Sequence, residues 1–278
     1  RATYLVLLGL AGVGLMEKSG DKFRNTKLAE SRLCKSSPDY SGHIFSLAAR
    51  QMKNWMKIPE VLKTGEPIPK PAMDSFDAKE WHEKFICSMD ALAKNNVDKL
   101  FEVLPLKDGM SVIDIGAGPA TFIIEFAKRL PNLTATAFDR PASENVALNF
   151  AEKAGVADRI SFAGGDFVKD SFEGKFDGAL ISNIIHMLSP AGTLDLMRRT
   201  TQALRPGGFL AINETVLGPD NDPGQAAIFA VQMMLGTKEG QVYTQQEICG
   251  WLEDVGLTIE SVETISERSK VIVGRKGK

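Results

Sequence analysis

The sequence predicts an α/β protein in which a mostly parallel, doubly wound sheet follows a mainly helical N-terminal segment. Two observations support this class. From residue 111 onward, short apolar runs rich in β-branched residues alternate with segments of helical spacing, as in a parallel sheet with crossover helices. The first hundred residues show mostly helical spacing instead. We therefore expect a helical domain over residues 1–105 and an α/β domain over residues 106–278.

The composition is that of an ordinary globular protein. Of 278 residues, 44% are hydrophobic and 24% charged, and the net charge of −2 gives no reason to expect nucleic acid or a membrane surface as a partner. Cys34, Cys87 and Cys249 are widely spaced, so we expect no disulfide scaffold, no metal site and a cytoplasmic protein. The apolar run 4–16 is too short to span a bilayer and predicts a core helix running into a strand.

The N-terminal segment has the outline of a winged helix. Residues 15–25 predict a hairpin with its turn at Ser19-Gly20-Asp21, after the first helix. Residues 1–110 hold 17 Lys and Arg against 14 Asp and Glu, which is a weak electrostatic footprint for DNA, and a protein–protein role fits at least as well. The rest of the segment predicts two helical stretches, 44–62 and 79–104, and a Gly/Pro-rich loop between them, 64–71.

The α/β part predicts seven strands. They cover residues 111–115, 134–138, 159–162, 176–181, 209–214, 258–264 and 270–273, and the last two form a hairpin. Residues 205–208 predict a turn into the fifth strand. Ser189-Pro190 starts one helix, and the capping box from Thr244 to Glu247 starts another.

Several strands end in residues that suit a nucleotide-like ligand. In an open α/β sheet the ligand lies beyond the carboxyl ends of the strands, where Gly116, Gly118, Asp139, Asp166 and His186 fall. Glycine lets the backbone approach a ligand closely, Asp139 can bind both ribose hydroxyls, and Asp166 can accept from an adenine amino group. Together these positions favour an adenosine-containing cofactor.

The glycine turn argues against NAD, the obvious alternative. The third glycine of the dinucleotide fingerprint is replaced by Thr121, and Gly118-Pro119 is an unusual start for a pyrophosphate loop. S-adenosylmethionine contains no phosphate and does not require that loop.

With these strand-end residues, the chain resembles the class I S-adenosylmethionine-dependent methyltransferases. More narrowly, it resembles the small-molecule O-methyltransferases of the caffeate, acetylserotonin and hydroxyneurosporene type. The motifs that carry the resemblance are Asp114-Ile-Gly116-Ala-Gly118, Asp139-Arg140-Pro141, Gly165-Asp166-Phe167, Leu204-Arg-Pro-Gly-Gly208, Ile185-His186, Asn213-Glu214-Thr215 and Met233-Met234-Leu235.

The resemblance implies a Rossmann-like, seven-stranded methyltransferase sheet and an N-terminal, winged-helix-like dimerisation domain whose first helices are missing from this sequence. It implies a homodimer that uses S-adenosylmethionine, releases S-adenosylhomocysteine and needs no metal. His186 is expected to be the general base for a small, aromatic acceptor, and Glu214 the acid that orients it. The expected cofactor-binding residues are Asp114, Gly116, Gly118, Asp139, Arg140, Asp166, Phe167 and Ser182. The expected acceptor-pocket residues are Phe85, Met89, Met233 and Met234, whereas Trp81 is assigned to core packing.

The sequence departs from the family pattern at three places. Met187 replaces the aspartate that commonly follows the histidine, Val242 stands where a second orienting acid is expected, and Ser182 replaces the lysine of plant members. Met187 and Val242 leave a first alternative open, and the winged-helix outline leaves a second. One is a methyltransferase of the same fold acting on carbon or nitrogen, and the other is a non-enzymatic winged-helix regulator.

Overall fold

The computed structural model describes residues 1–37, 39–69, 76–218 and 224–278, without the side chains of residues 76–83, so Trp81 lies outside the described side chains. The described chain forms two compact units, Arg1–Arg50 and Gln51–Lys278. The domain boundary expected near residue 105 stays a prediction. No helix in the described ranges is long and apolar enough to cross a bilayer.

The first unit contains a helix, a hairpin and a second helix. Their bounds are α1 Ala2–Gly12, β1 Met16–Ser19, β2 Lys22–Asn25 and α2 Lys27–Leu33. The strands pair in antiparallel fashion around the predicted turn, where Gly20 adopts a positive φ of 57°. The Thr26 side chain caps α2 by accepting from the Ala29 N–H.

The prediction that the first helix lies in a core is wrong for this unit. No residue of α1 is buried, and Tyr4, Leu5 and Val6 each expose about half of their surface or more. The hairpin has only four residues per strand, and it contacts α1 through an edge-to-face pair of Tyr4 and Phe23. Such a small hairpin cannot cover a helix that is apolar all round.

The two predicted helical stretches are each divided into two helices. Their bounds are α3 His43–Trp55, α4 Ile58–Thr64, α5 Phe76–Lys94 and α6 Val97–Val103. Pro59 lies in the first turn of α4, where its missing N–H is tolerated. A proline cannot continue α3, because an interior helical position needs that N–H. Of the predicted loop, residues 65–69 are irregular, and the remainder lies outside the described residues.

The sheet has the predicted mostly parallel order. Its strands are β3 Ser111–Ile115, β4 Thr134–Asp139, β5 Ile160–Gly164, β6 Phe176–Ser182, β7 Leu204–Leu217, β8 Tyr243–Thr244, β9 Leu257–Thr264 and β10 Ser269–Lys276. The order is β5-β4-β3-β6-β7-β10-β9, and the two-residue β8 pairs with β7 beside this path. All pairs are parallel except those made by β10. The mostly parallel sheet with a closing antiparallel hairpin is thus confirmed.

The crossover helices cover both faces of the sheet. They are α7 Thr121–Arg129, α8 Glu144–Lys153, α9 Pro190–Ala203, α10 Ala226–Gly236 and α11 Gln245–Asp254. Alternate strand residues feed two apolar clusters, so that Val112 points into one and Ile113 into the other. The predicted capping box is present, because Thr244 accepts from Glu247 N–H and the Glu247 carboxylate accepts from Thr244 N–H.

Residues 205–208, predicted as a turn into the fifth strand, lie within the bounds of β7 but interrupt its pairing with β6. Leu204 pairs with Phe176, and the register shifts before Gly178. Gly207 takes a positive φ of 78° and donates its N–H to Gly277 O at 3.1 Å. The regular ladder of β7 thus begins at Phe209, where the sequence predicts the start of the fifth strand.

Two glycine-to-alanine changes should have opposite effects on stability. A Cβ at Gly178 would overlap the ring of the buried Phe209, whereas one at Gly250 in α11 meets no atom within 4 Å. We expect Gly178→Ala to lower the free energy of unfolding by about 1–3 kcal/mol through overpacking. Gly250→Ala should raise it by about 0.5–1 kcal/mol through helix propensity. Urea denaturation measures both, and equal effects would contradict the described packing of β6 on β7.

Candidate active site

The glycine turn after β3 is held tightly against the end of β4. The N–H groups of Gly116 and Ala117 donate to Phe138 O at 2.8 and 3.2 Å. Gly116 has a φ of 75°, and a Cβ there would overlap the Ile184 side chain. Position 116 therefore requires glycine both for its backbone conformation and for the space beside it.

Asp139 closes this corner from the end of β4. Its carboxylate accepts the N–H of Gly118 at 2.6 Å and the N–H of Arg140 at 2.6 Å, and also the Ser143 hydroxyl at 3.3 Å. The carboxylate thus stands at the strand ends beside the glycine turn, where the sequence predicts ribose binding. The Arg140 side chain is exposed, and its role toward a cofactor stays a prediction.

Asp114, the last polar residue of β3, is 2% exposed, and its Oδ2 has no hydrogen-bond partner among the described residues. Burial raises its pKa to about 8, with a further contribution from the negative charge of Asp139. A carboxyl group in this position holds its proton at neutral pH unless a cation approaches it.

Asp166 and Phe167 follow β5. The Asp166 carboxylate accepts from Val168 N–H at 3.0 Å, and the Asp166 N–H donates to Asp170 Oδ2 at 2.7 Å, so both groups shape a local turn. The Phe167 ring is buried in the same apolar cluster as Phe138. Asp166 and Phe167 therefore stand at the predicted strand end, and adenine contact by either stays a prediction.

His186 and Glu214 form a buried pair at the ends of the neighbouring strands β6 and β7. His186 lies in a 3₁₀ turn, Ile185–Met187, and Glu214 is 1% exposed. Imidazole Nδ1 lies 2.8 Å from Glu214 Oε1, which also accepts the Thr215 N–H at 2.8 Å. Because a carboxylate accepts, Nδ1 donates the hydrogen, and in the neutral imidazole Nε2 is then the nitrogen with the free lone pair.

Phe229 of α10 contacts the His186 ring edge to face, with ring centroids 4.9 Å apart. Sequence reasoning did not single out this residue. The segment Ala226–Gly236 is apolar on every side, so its periodicity did not predict a helix. Met233 lies one turn after Phe229 on α10 and is half-buried, as is Met234.

The other predicted pocket residues lie on α5, which packs beside the glycine turn. Thr121 donates its hydroxyl to Asp90 Oδ1 at 2.7 Å, and a Cβ on Gly118 would lie 3.8 Å from Ile86 Cδ1. Phe85 is exposed and Met89 is half-buried on the same helix. The structure thus brings α5 to the glycine turn and α10 to the histidine, and a shared pocket stays a prediction.

The segment after His186 is held by a hydrogen bond from Tyr243 of β8. Tyr243 is buried and donates its hydroxyl to Leu188 O at 2.5 Å. Its neighbour Val242, which stands where an acid was expected, is also buried, and Met187 is exposed. Glu214 is accordingly the carboxylate that contacts this imidazole among the described residues.

Comparison with known proteins identifies the family. Residues 72–258 match the O-methyltransferase domain. The chain belongs to this family. The resemblance of the sequence motifs and the fold class are both confirmed, and the protein is an enzyme of the O-methyltransferase type.

Named relatives extend the match of this O-methyltransferase to nearly the whole chain. The tetracenomycin polyketide synthesis 8-O-methyl transferase of Streptomyces glaucescens is 28% identical over 96% of this chain and 80% of that protein. The 3-hydroxy-5-methyl-1-naphthoate 3-O-methyltransferase of Streptomyces sahachiroi is 28% identical over 92% of this chain and 75% of that protein. Human N-acetylserotonin methyltransferase, solved in complex with SAM, shares the fold with a TM-score of 0.84 at 22% identity, over 100% of this chain and 83% of that one.

The buried Asp114 carboxyl should make the ligand-free O-methyltransferase less stable as the pH rises. An unfolded aspartate has a pKa near 3.9, whereas the folded pKa is about 8, so between these values only the folded state holds the proton. This contribution is fully present below about pH 4 and is lost as the pH rises toward 8. Asp114→Asn should remove it, and the loss amounts to about 1.4 kcal/mol per pH unit at most.

The measurement is urea denaturation of both proteins at several pH values from 5 to 8.5. The other titrating groups are common to both, so the difference between wild type and variant isolates Asp114. Stabilities that change in parallel would show that the carboxyl is not held protonated by burial.

Proposed function

We propose that this O-methyltransferase transfers the methyl group of S-adenosylmethionine to a hydroxyl of a small aromatic metabolite, with His186 as general base. The observation that carries the proposal is the buried pair of His186 Nδ1 and Glu214 Oε1 at 2.8 Å. It lies at the carboxyl ends of the parallel strands, where α/β sheets bind their ligands. The two Streptomyces relatives are named for aromatic acceptors, a tetracenomycin polyketide and a hydroxynaphthoate, which supports the substrate class.

The strand-end residues fit the cofactor. Asp139 is a carboxylate beside the glycine turn and suits a ribose diol, and Asp114 offers a buried oxygen without a partner, as a cationic ligand requires. Asp166 stands at the next strand end for the adenine amino group, and Gly116 lets the backbone come close. When bound, S-adenosylmethionine supplies a methyl group on a positively charged sulfur.

His186 supplies the base that an aromatic hydroxyl needs. A phenol has a pKa of about 10 and is mostly protonated at neutral pH. His186 Nε2 takes the hydroxyl proton while the oxygen forms its bond to the methyl carbon and the carbon–sulfur bond breaks. Glu214 then holds the protonated imidazole through Nδ1–H. A neutral amine acceptor would not need this base, so the pair favours oxygen over nitrogen.

The acceptor would lie between α10 and the histidine. Phe229 already contacts His186, and Met233 follows one turn later, which makes α10 a wall suited to a flat ring. Methionine is soft and adaptable in such contacts. Met234, Phe85 and Met89 are proposed as further wall residues.

We also propose that the enzyme works in the reducing cytoplasm. Among the described residues, Cys34 and Cys249 carry free thiols, as a reducing compartment maintains. Their spacing in the sequence supports the same compartment.

Loss of the imidazole should slow turnover without loss of cofactor binding. We expect His186→Ala to reduce kcat at least tenfold, since general-base catalysis contributes about 10²–10⁴-fold. Glu214→Gln should lower kcat by less, because it keeps the shape but stabilises the imidazolium less. Turnover is measured with a hydroxyaromatic acceptor and methyl-labelled S-adenosylmethionine, and mass spectrometry locates the label on oxygen.

Calorimetric binding of S-adenosylhomocysteine is the control. It should stay nearly unchanged in both variants, which separates a chemical role from a folding defect. Unaltered kcat in His186→Ala would reject the base, and a wild-type protein that binds no cofactor product would reject the methyltransferase reaction.

The exposed α1 supports the proposal of a homodimer formed through the N-terminal segment, with a second copy covering the apolar helix. We expect the wild-type protein to sediment as a dimer and Val6→Asp to shift it toward monomer, since a buried unpaired charge is costly. Lys22→Asp on β2 also introduces an acid, but at an exposed polar position, and should leave the dimer intact. A wild-type protein that is monomeric at all concentrations would contradict the proposal.

A further inference from the structure

Asn213 of β7 is a buried amide that lacks a partner for one of its polar atoms. It is 4% exposed, and its Nδ2 donates to Ser182 Oγ at 2.9 Å. Its Oδ1 has no hydrogen-bond partner among the described residues. Exchanging O and N in the amide leaves the nitrogen unpaired instead, so one polar atom lacks a partner in either orientation among the described residues. Buried amides are normally paired, and this one lies at the edge of the sheet that holds the active site.

Ser182 is restricted by the same cluster. Its Oγ receives N–H groups from Asn213 and from Asn183, the latter at 3.2 Å. A hydroxyl oxygen has two acceptor positions, and both are then used. The Ser182 hydrogen therefore remains to be donated. The cluster offers one free acceptor, Asn213 Oδ1, next to one free donor, the Ser182 O–H.

The cluster lies on the same face of the sheet as Asp114. Ser182 pairs with Asn213 in the parallel register of β6 and β7, and Leu180, two residues before Ser182, pairs with Asp114. Residues two apart in a strand share a face. Asp114 Oδ2 is the second buried acceptor without a partner on this face. Asn183 is exposed and holds a positive φ of 55°, with its N–H on Asn213 O, so the cluster reaches solvent at the strand ends.

We infer that Asn213 and Ser182 bind the amino-acid end of the methyl donor, an inference that rests on the proposed function. An ammonium group has three N–H donors and no acceptor, which matches the free acceptor Asn213 Oδ1. The neighbouring carboxylate accepts the Ser182 O–H. Asn213 is thus a positioning residue for the cofactor and not a group that touches the transferred methyl.

Two ligands and two variants test this inference by calorimetry. S-adenosylhomocysteine carries the amino-acid end, and 5′-methylthioadenosine lacks it but keeps the adenosine and the sulfur. We expect Asn213→Leu and Ser182→Ala each to weaken S-adenosylhomocysteine binding by about tenfold or more, as for a lost hydrogen bond to a charged group. Binding of 5′-methylthioadenosine should stay within about twofold.

Thermal unfolding of the ligand-free variants gives a second readout. Asn213→Leu removes a stranded polar group, so its melting temperature should stay equal or rise while its affinity falls. Thr201→Val is the matched control, since Thr201 Oγ1 is also buried without a partner but lies at the end of α9. It should leave both affinities unchanged.

Unchanged S-adenosylhomocysteine affinity in both variants, or equal weakening for both ligands, would overturn the inference. Failure of the wild-type protein to bind S-adenosylhomocysteine would instead overturn the proposed function. The two failures are therefore distinguishable.

Discussion

The parallel register of β3, β4, β6 and β7 is the constraint on which the whole site depends. It brings the carboxyl ends of these strands to one edge of the sheet, so residues distant in the sequence become neighbours there. The same register concentrates carboxylates at that edge. Asp114, Asp139 and Glu214 lie at or near the ends of their strands, in or next to the apolar core, where an unpaired charge is costly.

The three carboxylates differ in their hydrogen-bond partners. Glu214 has the His186 imidazole and a backbone N–H as hydrogen-bond donors, and Asp139 has two backbone N–H groups. Asp114 has an oxygen without a partner among the described residues and a raised pKa. The His186–Glu214 pair near α10 is thus hydrogen-bonded without a ligand, whereas Asp114 Oδ2 beside the glycine turn has no donor from the described part of the chain. In the proposed mechanism, chemistry and cofactor binding are divided between these two ends of one sheet edge.

Much of this arrangement could be predicted from the sequence, because it depends on local patterns. Apolar runs ending in polar residues located the central strands, and the family motifs pointed to His186 and Glu214. The errors come from features that tertiary contacts decide. The helix α10 has no polar face to produce a period, and α1 is apolar without a core to enter among the described residues of its unit. Phe229 was missed with α10, and Asn213 became notable only when its oxygen was found unpaired.

The contact between Ile184 and Gly116 joins the glycine turn to the segment just before His186. Ile184 lies two residues before His186 and occupies the space that a side chain at position 116 would need. Any residue larger than glycine at that position would push the buried Ile184 side chain aside and would strain the turn itself. In the proposed mechanism, attempts to broaden the range of acceptors by protein engineering should therefore vary α10 and leave this contact intact. Gly116 and Ile184 pack directly against each other, so a change at either residue affects the glycine turn and the neighbourhood of His186 together.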